Sequence, residues 1–75
     1  MDFPQYRKRF DNKSFYKIIN EQSMEEVQII GEKKFFHQLK ADKYFEKVLI
    51  SEVLEAASDL YEKISWEEWQ NIAKK

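Results

Sequence analysis

The sheet is decided by residues 24–41, which read MEEVQIIGEKKFFHQLKA. On both sides of Gly31 most positions alternate between the two faces of a strand, with β-branched and aromatic residues concentrated there. Gly31 is the single glycine of the chain, and its position favours a tight turn with a positive φ angle. The stretch therefore predicts a β-hairpin with strands at about 24–30 and 34–41.

Two further strands are predicted before this hairpin. Alternating residues at about 5–10 and aromatic and β-branched residues at about 14–19 are typical of strands. Residues 11–13, Asp-Asn-Lys, predict a tight turn between them, because Asp and Asn bond their own backbone. Connections this short imply a four-stranded antiparallel meander.

The hydrophobic period changes from about 2 to about 3.6 residues after Ala41, which predicts helices in the second half. The first helix is expected over about 51–63, with Ser51 as its favoured N-cap. Asp42 is an alternative start, because a second apolar stripe begins at Phe45. The stripe that supports the favoured start consists of Val53, Leu54, Ala57, Leu60, Tyr61 and Ile64.

A second helix is expected over about 66–74. Ser65 and Glu68 form a capping box, in which the Ser side chain bonds a backbone amide of the first turn. The inner stripe of this helix consists of Trp66, Trp69, Ile72 and Ala73. The sequence thus predicts one small α+β domain over residues 1–75, with a four-stranded β-meander and two C-terminal helices packed on one face.

The chain lacks most residues from which enzymes build active sites. It has no cysteine and one histidine, His37, so a disulfide is excluded and a zinc site is disfavoured. His37 alternates with Phe35 and Leu39 on a strand, and no nucleophile or carboxylate partner is suggested by local spacing. One glycine does not make a phosphate-binding loop. We expect no catalytic residue, no metal and no cofactor.

The composition also bounds the cellular location. The longest purely apolar run, Val48 to Ile50, falls far short of the ~20 residues of a membrane helix. The N-terminal residues contain no apolar leader segment, and the lack of cysteine is compatible with a reducing compartment. We therefore expect a cytoplasmic protein without a membrane partner.

The candidate binding residues are Arg7, Arg9, Lys17 and Trp66. Residues 1–20 carry five basic and two acidic groups, and rings alternate with cations along the first two strands. If Tyr6 and Phe10 face the core, Arg7 and Arg9 project outward, with Lys17 as a neighbour.

These residues support two kinds of function. We expect a small non-enzymatic interaction module that binds another protein or a second copy of itself, because aromatic side chains are abundant and catalytic groups are scarce. The alternative is a binder of single-stranded nucleic acid that uses the basic aromatic hairpin.

Three segments resemble a group of short uncharacterised bacterial proteins. They are the opening Phe3-Pro4-Gln5-Tyr6-Arg7-Lys8, the segment Val27-Gln28-Ile29-Ile30-Gly31, and the helical tail. The resemblance runs over most of the chain and implies a small bacterial cytosolic protein. It brings no activity and no ligand with it.

Overall fold

The computed structural model describes residues 2–55 and 59–74. The fold is α+β, as the sequence predicts, with an antiparallel sheet and two helices. In chain order the elements are β1 (Gln5–Arg9), β2 (Ser14–Asn20), β3 (Ser23–Ile30), β4 (Lys33–Lys40), α1 (Tyr44–Glu55), β5 (Tyr61–Lys63) and α2 (Trp66–Ala73).

The first four strands form the predicted meander, and its turns follow the local sequence. Gly31 has a φ angle of 62°, as expected for the turn between β3 and β4. Asn12 has a φ angle of 61°, in the left-handed region that Asn tolerates better than most residues. In the same turn the Asp11 carboxylate accepts a hydrogen bond from the Lys13 amide at 3.0 Å.

The sheet has five strands in the order β4-β3-β2-β1-β5, so the prediction of four strands is corrected. The additional strand, β5, lies within the segment for which a helix was predicted. It pairs with β1, with Arg7 opposite Lys63 and Arg9 opposite Tyr61. The outer edge of β1 offers backbone partners to this segment, and that pairing outweighs a helical period carried by a few apolar residues.

Helix α1 begins at Tyr44, so the favoured start at Ser51 is wrong and the alternative near Asp42 is closer. The Glu46 carboxylate accepts a hydrogen bond from the Lys43 amide at 3.1 Å, which satisfies a backbone donor at the helix start. Ile50, Val53 and Leu54 form the buried side of the helix. Ala57, part of the predicted stripe, lies outside the described residues.

The two helices lie on opposite faces of the sheet, so the prediction that both cover one face is wrong. The neighbouring residues Phe15 and Tyr16 of β2 explain why, since successive side chains of a strand point to opposite faces. Tyr16 belongs to a core cluster with residues of α1. Phe15, by contrast, packs with Val27 of β3 and with Trp69 of α2. Because both faces of the sheet are apolar, each needs a cover. We call these faces the α1 face and the α2 face.

Helix α2 confirms the capping box. The Ser65 hydroxyl accepts a hydrogen bond from the Glu68 amide at 3.1 Å. Trp69 is buried against the sheet, as expected, but Trp66 is 55% exposed and does not belong to the inner stripe. Among the described residues, neither helix is long and apolar enough to cross a membrane.

Candidate interaction surface

The structure places Arg7 in the interior, which contradicts the expectation that it projects outward. Its side chain is 4% exposed and points to the α1 face. Its Nε and Nη2 atoms donate to the Leu54 carbonyl at 3.1 and 2.7 Å, and Nη1 donates to the Tyr6 carbonyl at 2.8 Å. Burial lowers the pKa of Arg7. The guanidinium therefore satisfies a carbonyl near the C-terminal end of α1, where a cation is favoured.

The other two predicted cations of the hairpin, Lys17 and Arg9, lie next to acids. Lys17 is opposite Tyr6 in the sheet, so it faces α2, and its Nζ lies 4.0 Å from a Glu25 carboxylate oxygen. Arg9 Nε lies 3.7 Å from Asp11 Oδ1. Register thus separates Arg7 and Arg9 from Lys17, and the fold does not assemble the predicted cluster.

Lys8 on the α2 face follows the same pattern. Its Nζ lies 3.7 Å from carboxylate oxygens of both Glu62 and Glu68. The hairpin's cations are therefore used mainly within the fold. Arg7 bonds the end of α1, and Lys8 pairs with acids of β5 and α2. Arg9 and Lys17 pair with acids close beside them.

Three of the four rings of the hairpin are also engaged in packing. Tyr6 stacks at a tilt on Trp69, with ring centroids 6.1 Å apart, and Phe15 is buried. Tyr16 meets Tyr61 edge to face at 5.8 Å. Burial, with the charge of Glu26 as a second cause, raises the pKa of Tyr16 to about 12. Phe10 is the exposed ring of the hairpin.

His37 is exposed on β4, opposite Glu26. Together the two side chains line a groove rather than a closed pocket. Within residues 2–55 and 59–74, no group of three or more His, Cys, Asp or Glu side chains is arranged to hold a metal ion.

An exposed apolar area instead begins on α1. Four side chains point away from the buried side of this helix: Tyr44 (83% exposed), Phe45 (66%), Val48 (36%) and Leu49 (40%). We call these four residues the outer stripe. They recur at the i, i+4 spacing of one helix side. Helix α1 therefore has two apolar sides, and its own sheet covers one of them.

The groove adjoins the outer stripe, because α1 packs mainly against β1 and β2. The helix reaches Met24 and Leu39 but leaves the part of the α1 face around Gln28, Phe35 and His37 uncovered. The lining of the groove includes Met24, Glu26, Gln28, His37, Leu39 and Leu49. Phe35, opposite Gln28 in the sheet, adds an aromatic ring that is 41% exposed. We call the outer stripe, the groove and Phe35 together the α1–β4 surface.

Lys33, which lies on the same strand face as Phe35, borders this surface. Lys43 and Lys47 lie at the N-terminal end of α1, and the ion pairs formed among the described residues do not include these three exposed lysines. The acids of the last turns of α1, Glu52 and Glu55, are exposed at its other end. The surface thus combines an apolar centre with a charged rim, as protein interfaces do.

The sequence contained a signal for this surface that the predicted helix start concealed. The stripe that begins at Phe45 and continues through Leu49 is the basis for the alternative start near Asp42. With a start at Ser51, those residues fall before the helix and their shared side is not apparent. Trp66, the fourth predicted binding residue, is exposed at the first turn of α2.

No family model, no curated protein and no solved structure matches this chain.

Proposed function

We propose that the protein is a non-enzymatic interaction module that binds a protein partner through the α1–β4 surface. One observation carries the proposal: α1 is apolar on two opposite sides, and only the side with Ile50, Val53 and Leu54 is covered by its own sheet. The apolar side of a helix is normally the side that packs against another element. An exposed Tyr44 next to Phe45 also supplies the aromatic anchors on which binding energy concentrates.

The proposal includes a bacterial source and a cytoplasmic location. The lack of cysteine favours a reducing compartment. The resemblance of the opening segment to short bacterial proteins supports the source.

A second candidate function, binding of single-stranded nucleic acid, is favoured by the same surface rather than by the hairpin. Exposed rings of Tyr44, Phe45 and Phe35 lie near lysines that form no ion pair with the described acids. Rings interleaved with cations are the pattern used to stack bases and neutralise phosphates. A protein partner is favoured over it because Val48 and Leu49 continue the apolar stripe and Glu52 and Glu55 border it, where phosphates would be repelled.

Photo-crosslinking in cells tests the proposal. A benzophenone amino acid replaces Tyr44, and in a matched control it replaces Glu67, which is exposed on α2 on the opposite face of the sheet. We expect protein adducts at position 44 that are lost when Phe45→Glu is added, and none of the same adducts at position 67.

Two results would count against the protein-binding proposal. One is the absence of any specific adduct at position 44. The other is an adduct that nuclease removes, together with micromolar or tighter binding of a labelled random oligonucleotide in fluorescence anisotropy, which would establish the second candidate.

A further inference from the structure

We infer that the occupant of the α1–β4 surface is a second copy of this chain, related by a two-fold axis, so that the outer stripe of each α1 lies over the β3–β4 half of the other copy's α1 face. This inference rests on the proposed function and names its partner.

The sheet is wider than a single helix can cover. Neighbouring strands are about 4.8 Å apart and a helix with its side chains is about 10 Å wide, so one helix covers roughly two strands. Helix α1 takes the β1–β2 half of the α1 face, and α2 lies on the opposite face. The groove over β3 and β4 therefore leaves space beside α1 that neither of the two described helices fills.

The chain itself offers a helix with a matching apolar side. The outer stripe lies opposite the buried side of α1, so two α1 faces brought together place each stripe on the other copy's groove. Each copy carries one outer stripe and one groove. A two-fold axis therefore lets the stripe of each copy meet the groove of the other, as a self-complementary interface requires. In this arrangement the two α1 helices lie side by side between the two sheets.

The area fits a dimer interface. From the exposed fractions of the outer stripe and Phe35, each copy presents on the order of 500 Å² of apolar surface, if an exposed aromatic side chain counts ~150–250 Å². A stable interface buries about 800 Å² per partner, and somewhat more than half of it is apolar. The apolar centre is thus of the required size, and the charged rim supplies the remainder.

The charges set the direction of the two helices. Residues 43–47, at the N-terminal end of α1, carry two lysines and one acid, whereas residues 48–55 carry two acids and no lysine. An antiparallel arrangement places the lysine end of each helix beside Glu52 and Glu55 of the other copy. A parallel arrangement would place like charges together. Antiparallel helices also bring opposite ends of the two helix dipoles together.

Sedimentation equilibrium from low micromolar to near-millimolar protein tests the inference. We expect the native chain to shift from the mass of one chain to that of two as concentration rises. Val48→Glu should weaken this association at least ~10-fold, because the two-fold axis would bury two unpaired carboxylates. Gln70→Glu is the matched control, since Gln70 is exposed on α2, which lies on the opposite face of the sheet, and it should change the association little.

A charge exchange tests the direction of the helices and does not depend on a variant that unfolds. Lys43→Glu and Glu52→Lys each suit the helix dipole, so both should fold. Each alone should weaken association, and the double variant should recover it at least in part.

A native chain that stays at the mass of one chain throughout, or a Val48→Glu variant that associates as tightly as the native chain, overturns the inference. If the chain is monomeric but position 44 gives a specific adduct with another protein, the proposed function stands without the second copy. If the chain is monomeric and no adduct forms, both fail.

Discussion

Replacing Arg7 with alanine separates a structural role from a binding role for this residue. The sequence pattern places Arg7 among the outward-facing binding cations, whereas the structure buries it beneath the end of α1. Arg7→Ala removes both donors to the Leu54 carbonyl and the donor to the Tyr6 carbonyl. It also leaves a small void on the α1 face where the side-chain methylenes pack.

The expected loss follows from these contacts. A hydrogen bond from a charged donor contributes about 1.5–3 kcal/mol, and an unsatisfied buried acceptor costs about 1–3 kcal/mol. Part of this is offset, because the lowered pKa of Arg7 shows that burying its charge is itself unfavourable. We therefore expect Arg7→Ala to lower the free energy of unfolding by about 3 kcal/mol, a large fraction of what a small domain has.

Urea unfolding followed by circular dichroism measures this loss, with Arg9→Ala as the matched control. Arg9 lies on the same strand and the same face but is 40% exposed beside Asp11, so its removal should cost about 0–1 kcal/mol. If Arg7→Ala costs no more than Arg9→Ala, the buried bonds to Leu54 do not hold α1 and the reasoning is refuted.

Three further outcomes follow from burial, ionisation and backbone geometry. Trp69→Ala should lower the free energy of unfolding by about 3–5 kcal/mol, because Trp69 is buried. Leu60→Ala should lower it by under ~1 kcal/mol, because Leu60 is 46% exposed. Equal urea midpoints for the two variants would contradict this difference in burial. The pKa of Tyr16 is raised from 10.0 to about 12, so as the pH rises the Tyr16 hydroxyl ionises in the unfolded chain before it does in the folded chain. The stability that this shift contributes is therefore fully present below pH 10 and should be lost as the pH rises toward 12. Tyr16→Phe should flatten that part of a stability–pH profile, and an unchanged slope would argue against the shift. Gly31→Ala should lower the free energy of unfolding by about 1 kcal/mol because the φ angle of Gly31 is 62°. The cost does not come from a clash with other parts of the chain, since none of their atoms lies within 4 Å of the added methyl group. A variant that is more stable than the native chain in a thermal melt would show that the turn is not held in this conformation.

The parts of the fold that the sequence predicts correctly are those determined by neighbouring residues. Gly31 and Asn12 can adopt positive φ angles with little strain, so each marks a turn wherever the rest of the chain goes. Ser65 and Glu68 form a cap within one helical turn. These features depend on contacts three residues apart or fewer, and the alternation of the strands is equally local.

The parts that it predicts wrongly depend on contacts between distant segments. Tyr61 and Ile64 fit a helical period as well as a strand, and only the free edge of β1 decides between them. Arg7 points inward because a carbonyl acceptor 47 residues away, that of Leu54, lies over it. A charged residue in an alternating pattern gives no sign of such an acceptor.

The candidate surface likewise depends on contacts between distant segments. The apolar residues on both sides of α1 are visible in the sequence, but which side the sheet covers is a tertiary fact. A search of the sequence for binding residues favours cations and exposed tryptophan, and so selects Arg7 and Trp66 rather than Tyr44 and Phe45. Cations near several acids often form ion pairs within the fold, as Lys8 does with Glu62 and Glu68.

The arrangement of the helices also favours the proposed second copy over an unrelated flat partner. Association costs the same translational and rotational freedom whichever protein binds. A two-fold interface covers two outer stripes and two grooves for that single cost, whereas a partner without a matching stripe covers one stripe and leaves the groove open. In the proposed arrangement, this doubling buries the outer stripe of α1 in both copies at once.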